Sequence, residues 1–140
     1  MNDVYAAIRE RLLYQSFNWQ GANLELQAWS GGNFNEMHVR VSDLVAAGGV
    51  PQSKSGVNFT SPWIMPGGYA ASEPLILPGS GFQVGAQVSF LTLNDRSGGD
   101  SIDPVLILFI ADAEGLPFIA NGLDYVVTPD WLLERGWWRP

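Results

Sequence analysis

The chain has 140 residues, a formal net charge of −7 and a hydrophobic content of 46%, with only 15% charged residues. That length and apolar content suit one domain, residues 1–140, with a core of its own, and they exclude the disordered class. Lys54 is the single lysine, so the clustered positive surface that nucleic-acid phosphates require is missing, and the absence of cysteine excludes disulfides and thiolate metal sites.

Asn2 or Asp3 is placed to cap a short helix within residues 1–15. Val4, Ile8 and Leu12 recur there at every fourth position, with Tyr5 and Leu13 beside them and Arg9, Glu10 and Arg11 opposite. Such a stripe docks either on its own sheet or, as an arm, on a neighbouring subunit. No secretory leader is expected from so polar an N-terminus, which implies a soluble protein made without a signal of its own.

Ser16 to Gly21 breaks the helix. Leu24, Leu26 and Ala28 then alternate with Glu25, Gln27 and Trp29, the pattern of a half-buried strand, ended by Ser30-Gly31-Gly32. His38, the single histidine, precedes Val39 and Val41, and Asp43 is placed to cap a helical turn from Leu44 to Ala47 that Gly48-Gly49 stops. Residues 50–81 are rich in Gly, Pro and Ser, with short strands expected at Val57–Thr60 and Leu75–Leu77. Val84, Ala86, Val88 and Phe90 alternate with Gly85, Gln87, Ser89 and Leu91 as a strand, and Asn94 to Asp100 reads as an exposed polar loop.

Val105 to Ala111 is an unbroken apolar run rich in β-formers, too short for a membrane span and read as a strand in mid-sheet, buried on both faces. Gly115 and Pro117 end it, and Asn121-Gly122 makes a second turn before Leu123, Tyr125 and Val127 alternate with Asp124, Val126 and Thr128. The run is expected to turn back into that segment as its neighbour. Sixteen Gly, nine Pro and six Trp fit many turns between short strands. The expected fold is all-β, a β-sandwich of short antiparallel strands with a short N-terminal α-helix.

Residues 129–140 form a Trp-rich C-terminal tail. Trp131, Leu132 and Leu133 suit a last turn packed on the sheet, while Trp137, Trp138 and Arg139 crowd a terminus that is ordinarily polar and frayed. Trp and Arg dominate protein interfaces. Trp131, Trp137, Trp138 and Arg139, with Tyr5, Ile8 and Leu12 of the N-terminal stripe, are therefore the partner-binding candidates.

Catalytic signals are missing. One histidine and no cysteine leave little for a nucleophile and base, and no phosphate-cradling glycine loop is present. Asp95, Asp100 and Asp103 could hold a hard cation such as calcium, but without EF-hand spacing a solvated acidic loop is the plainer reading. No catalytic residue, cofactor or metal is assigned. Asn58-Phe59-Thr60 matches a glycosylation acceptor, read as a chance match without an export signal.

The order of features resembles a group of small bacteriophage structural proteins of tail-fibre or minor structural type. The likeness runs through the opening helix, Asn18-Trp19 leading to Leu24–Trp29, and His38 followed by Ser42-Asp43-Leu44. It closes on an apolar strand with Asp112, Gly115-Leu116-Pro117, Asn121-Gly122 and Asp124. The Trp-rich extension after Pro129 departs from the pattern. The resemblance implies a virion component present in many copies, a capsid decoration or cement protein or a tail or neck subunit. It would act by contacts with other virion proteins and with copies of itself; the acidic charge and the lack of a spanning apolar run imply no nucleic-acid or membrane partner. A carbohydrate-binding module is the alternative, with Trp29, Trp63 and Trp137 as the stacking candidates.

Overall fold

The computed structural model describes residues 2–13, 23–56, 63–65, 69–71, 74–97, 102–111 and 115–127. In chain order the elements are β1 (Asn2–Val4), α1 (Ala6–Leu13), β2 (Leu24–Ser30), α2 (Val41–Ala46), β3 (Val50–Lys54), β4 (Trp63–Met65), β5 (Tyr69–Ala71) and β6 (Leu75–Leu77). They continue with β7 (Gln87–Val88), β8 (Phe90–Asp95), β9 (Val105–Ile110), β10 (Phe118–Ile119) and β11 (Tyr125–Val127). Five strands form one antiparallel sheet in the order β1-β9-β8-β2-β3, and the others pair in two-stranded ribbons, β4 with β5, β6 with β11 and β7 with β10. The fold is all-β, as expected.

The apolar run at 105–110 is flanked on both sides, by β1 and by β8. Its pairing with β8 steps from Leu93 opposite Leu108 to Asn94 opposite Leu106, so Ile107 is an extra residue. A bulge of this kind shifts the side-chain phase. Val105, Ile107, Leu108 and Ile110 consequently all join the larger core, while Leu106 and Phe109 belong to the smaller one on the opposite face. A strand that feeds two cores has no position left for a polar residue.

The larger core lies between the sheet and two of the ribbons, β6 with β11 and β7 with β10. Leu24, Leu26 and Ala28 of β2 and Leu91 and Leu93 of β8 meet Leu75, Leu77, Val88, Val127 and Phe82. Phe118 ties the two ribbons together, its ring 4.6 Å from that of Tyr125 and 5.7 Å from that of Phe82. The smaller core is aromatic: Phe34 stands 5.3 Å from Tyr5 and 4.6 Å from Phe109, and Trp29 stacks on Phe90 at 6.4 Å. Each buried aliphatic or aromatic side chain stabilises by roughly 1.5–3 kcal/mol, more than the ~1 kcal/mol net of a typical hydrogen bond, so these two clusters set the layer order.

Four expectations need correction. Asn2 and Asp3 do not cap a helix: with Val4 they pair with Ile110, Phe109 and Leu108 of β9, whose outer edge would otherwise leave its backbone groups unpaired. Helix α1 begins only at Ala6, which removes Val4 from the stripe. Asn94 and Asp95, expected in an exposed loop, are the buried end of β8, at 0% and 7% exposure. Val84 is 70% exposed beside a turn at Gly85 (φ +89°), so the single strand expected over Val84–Leu91 starts only at Gln87 and divides at Ser89 into β7 and the start of β8, which belong to different sheets. Finally, β9 does not turn back onto 123–127; β10 and β11 leave its sheet for β7 and β6, and Leu123 points outward.

Trp29 is also corrected as a sugar-stacking candidate. It is fully buried, and its indole Nε1 donates to Thr92 Oγ1 at 2.8 Å. Strand β2 as a whole is covered on both faces, since Glu25 and Gln27 are as buried as the leucines beside them.

Candidate functional site

The outer surface of the ribbon layer carries the feature with most functional meaning. In β6 and β11 the inward positions are Leu75, Leu77, Tyr125 and Val127, and strand alternation turns Ile76 and Val126 outward. These two are cross-strand partners, 53% and 55% exposed. Ile119 of β10 faces outward in the same way, and Val84 and Leu123 are exposed around the Gly122 turn (φ +85°), where Val84 Cγ2 lies 3.9 Å from the place a Cβ would take. Because Phe118 and Tyr125 hold the ribbons side by side, Ile76, Val126 and Ile119 lie on the outside of one layer. The segments that build it, 74–88 and 115–127, contain no Lys or Arg and one carboxylate, Asp124. Asp124 Oδ1 accepts from Gly79 N at 2.7 Å.

The turn against which this layer closes is tight. A Cβ on Gly79 would stand 2.2 Å from Gly122 O, and one on Gly81 2.6 Å from Ser53 Oγ. Only glycine permits such backbone approach. Ser53 in turn donates to Pro78 O at 2.6 Å, and Gln52 Oε1 accepts from Gln83 N at 2.8 Å, so β3 is bonded to the loop leading into the ribbons.

A second feature is a buried polar row on the far face of the sheet. Glu25 and Gln27 of β2 stand opposite Asn94 and Thr92 of β8. Arg96 Nη1 reaches Glu25 Oε2 at 2.8 Å, and Asn94 Nδ2 donates to Gln27 Oε1 at 2.9 Å. The Trp29 indole bond to Thr92 closes the row against the aromatic core.

A third is the clamp at the start of α2. Asp103 Oδ1 accepts from Ser42 N at 3.0 Å and Oδ2 from Ser42 Oγ at 2.7 Å, while Arg40 Nη1 donates to Asp103 O at 2.9 Å. Asp43 does cap, but from inside the helix: its Oδ2 accepts from the N–H groups of Val39 and Arg40, each at 3.0 Å. The Arg40 bond first, then that from Val39, holds the Asp43 carboxyl below the usual carboxylate range, with His38 adding a smaller contribution.

The acidic-loop reading is resolved for two of its three members. Asp95 Oδ1 is occupied by the Ser97 N–H and hydroxyl, and both Asp103 oxygens by Ser42. No group of three or more His, Asp or Glu placed to hold a metal occurs among the described residues. Asp100 lies outside them. No described helix is long and apolar enough to cross a membrane.

Of the partner-binding candidates, Tyr5 and Ile8 are fully buried in the chain's own two cores, so their side chains offer nothing to a neighbour in this arrangement. The same burial pushes the Tyr5 phenol up. Leu12 belongs to α1, but its side chain is not among those described, nor is that of Trp63 in β4; Trp131, Trp137, Trp138 and Arg139 lie outside the described residues, as do Val57–Thr60. Arg9 of α1 is paired with Glu36. The sequence pattern alone does not set the outward aliphatic residues apart from the core. One signal was present: Leu75-Ile76-Leu77 and Tyr125-Val126-Val127 are apolar at every position, although a ribbon on a core buries one face only.

Comparison of the chain with protein-family models, with curated proteins and with solved structures gives no match.

Proposed function

We propose that the chain is a structural subunit that acts by protein–protein contact, a bacteriophage virion component of the capsid-decoration or tail and neck kind that the order of its motifs suggests. The observation that carries the contact reading is the outward set Ile76, Val84, Ile119, Leu123 and Val126, each 53–70% exposed. Soluble monomers seldom leave large aliphatic groups gathered on one layer unless that layer is used. Covering each one stabilises a complex by up to about 1–2 kcal/mol before the entropy of association is subtracted.

Charge selects the partner. The body is acidic at −7, and the layer itself is nearly uncharged. The surface that suits it is aliphatic at its centre and basic at its rim, which favours another protein over a second copy of this acidic chain and speeds encounter at low salt. Co-sedimentation of the purified chain with particles assembled without it tests the proposal. Saturable binding that weakens as salt rises supports it, and a chain that stays in the supernatant at every concentration contradicts it.

A further inference from the structure

The polar row on β2 and β8 is incomplete in a specific way. Glu25 Oε1, Gln27 Nε2 and Asn94 Oδ1 are buried side-chain atoms with no hydrogen-bond partner among the described residues, and their residues are 1%, 1% and 0% exposed. The three residues adjoin one another: Glu25 is the direct cross-strand partner of Asn94, and the Asn94 and Gln27 amides are already joined at 2.9 Å. Each bare atom costs about 1–3 kcal/mol when it lacks a partner. Three together would be a large fraction of a small domain's stability.

We infer that Glu25, Gln27 and Asn94 form a binding site for one enclosed water molecule, which bridges β2 to β8. The tally of groups defines the occupant. Two acceptors, Glu25 Oε1 and Asn94 Oδ1, need two donated protons, and one donor, Gln27 Nε2, needs one lone pair. Water supplies two donors and an acceptor, and buried waters typically make about three such bonds. Turning both amides over leaves the same tally, because Gln27 Oε1 and Asn94 Nδ2 then become the unmatched pair. Charge argues against a cation: Arg96 already pairs with Glu25 at 2.8 Å, and the other two groups are neutral amides, so no net negative charge is left to hold one. All three residues are at most 1% exposed, so the occupant is enclosed.

A crystal structure of the full chain at a resolution that shows ordered solvent tests this directly. The expected result is one water within hydrogen-bond distance of all three atoms. Water-proton or oxygen-17 relaxation dispersion of the native chain should also detect one long-lived water that Gln27→Met removes. The inference is overturned if the three atoms bond to protein groups instead. It is also overturned if the density is a cation at about 2.3 Å from oxygens, or if Gln27→Met folds and retains the long-lived water. Should that variant fail to fold, the native crystal structure still decides.

Discussion

Asp103 holds Ser42 with both carboxylate oxygens, one on the backbone N–H at 3.0 Å and one on the hydroxyl at 2.7 Å. The contact spans 61 residues and fixes the start of α2 to the start of β9, where Val41 N also donates to Pro104 O. It positions Leu44 in the aromatic core. Asp103→Ala should therefore lower stability by about 1–2 kcal/mol, as loss of a helix cap does. Ser42→Ala, which keeps the N–H bond, should cost about half as much. Urea midpoints of the two variants check the order.

Asp43 gives a pH dependence. Its folded-state carboxyl is held low by the Arg40 and Val39 N–H groups, so its contribution is fully present above the unfolded carboxylate value of about 4 and is lost as pH falls through the lower folded value. Thermal unfolding of the native chain and of Asp43→Asn should differ at neutral pH and converge under acid. Curves that stay parallel down to the most acid pH would rule the capping account out.

Gly79 and Gly122 meet backbone to backbone. A Cβ at Gly79 would lie 2.2 Å from Gly122 O, and the atoms in its way are main chain that cannot swing aside. Gly79→Ala should cost about 1–3 kcal/mol through forced displacement. It should also loosen the ribbon layer, read as faster amide exchange at Val126 and Val127.

Glu25 and Arg96 form a pair buried on one side only, with the Glu25 side chain 2% exposed and the Arg96 side chain 29%. Arg96→Ala leaves a carboxylate in the sheet interior and should cost about 2–3 kcal/mol, below the roughly 3–5 kcal/mol of fully buried pairs because solvent reaches the arginine. Glu25→Leu with Arg96→Met should recover most of that loss in chemical denaturation.

These variants sample places where the sequence was and was not transparent. Val105–Ile110 was legible because a strand that feeds two cores has to be apolar throughout. Asn94 and Asp95 were not, since polar residues after an apolar strand normally mark its end. Here the Asn94 amide donates to Gln27 across the strand pair, which only the tertiary fold supplies, and Asp95 accepts from Ser97 two residues on. Strand β3 was missed for a related reason. Val50-Pro51-Gln52-Ser53-Lys54 has no alternation, because its register slips against β2 between Gln27 and Trp29, and Gln52 and Ser53 are both buried through polar bonds. The N-terminal strand was hidden by a real helical stripe that starts just after it. The outward aliphatic layer escaped notice because apolar residues in short strands read as core until the covered face is known.

The central claim is that this layer is a docking face. Its most direct test is the affinity of the Ile76→Asp/Val126→Asp double variant for particles assembled without the chain, measured beside Ile102→Asp, which alters a residue 95% exposed outside the layer. The account predicts that the double variant folds, binds at least tenfold more weakly, and leaves the Ile102→Asp control at native affinity. Equal binding by all three proteins would contradict it.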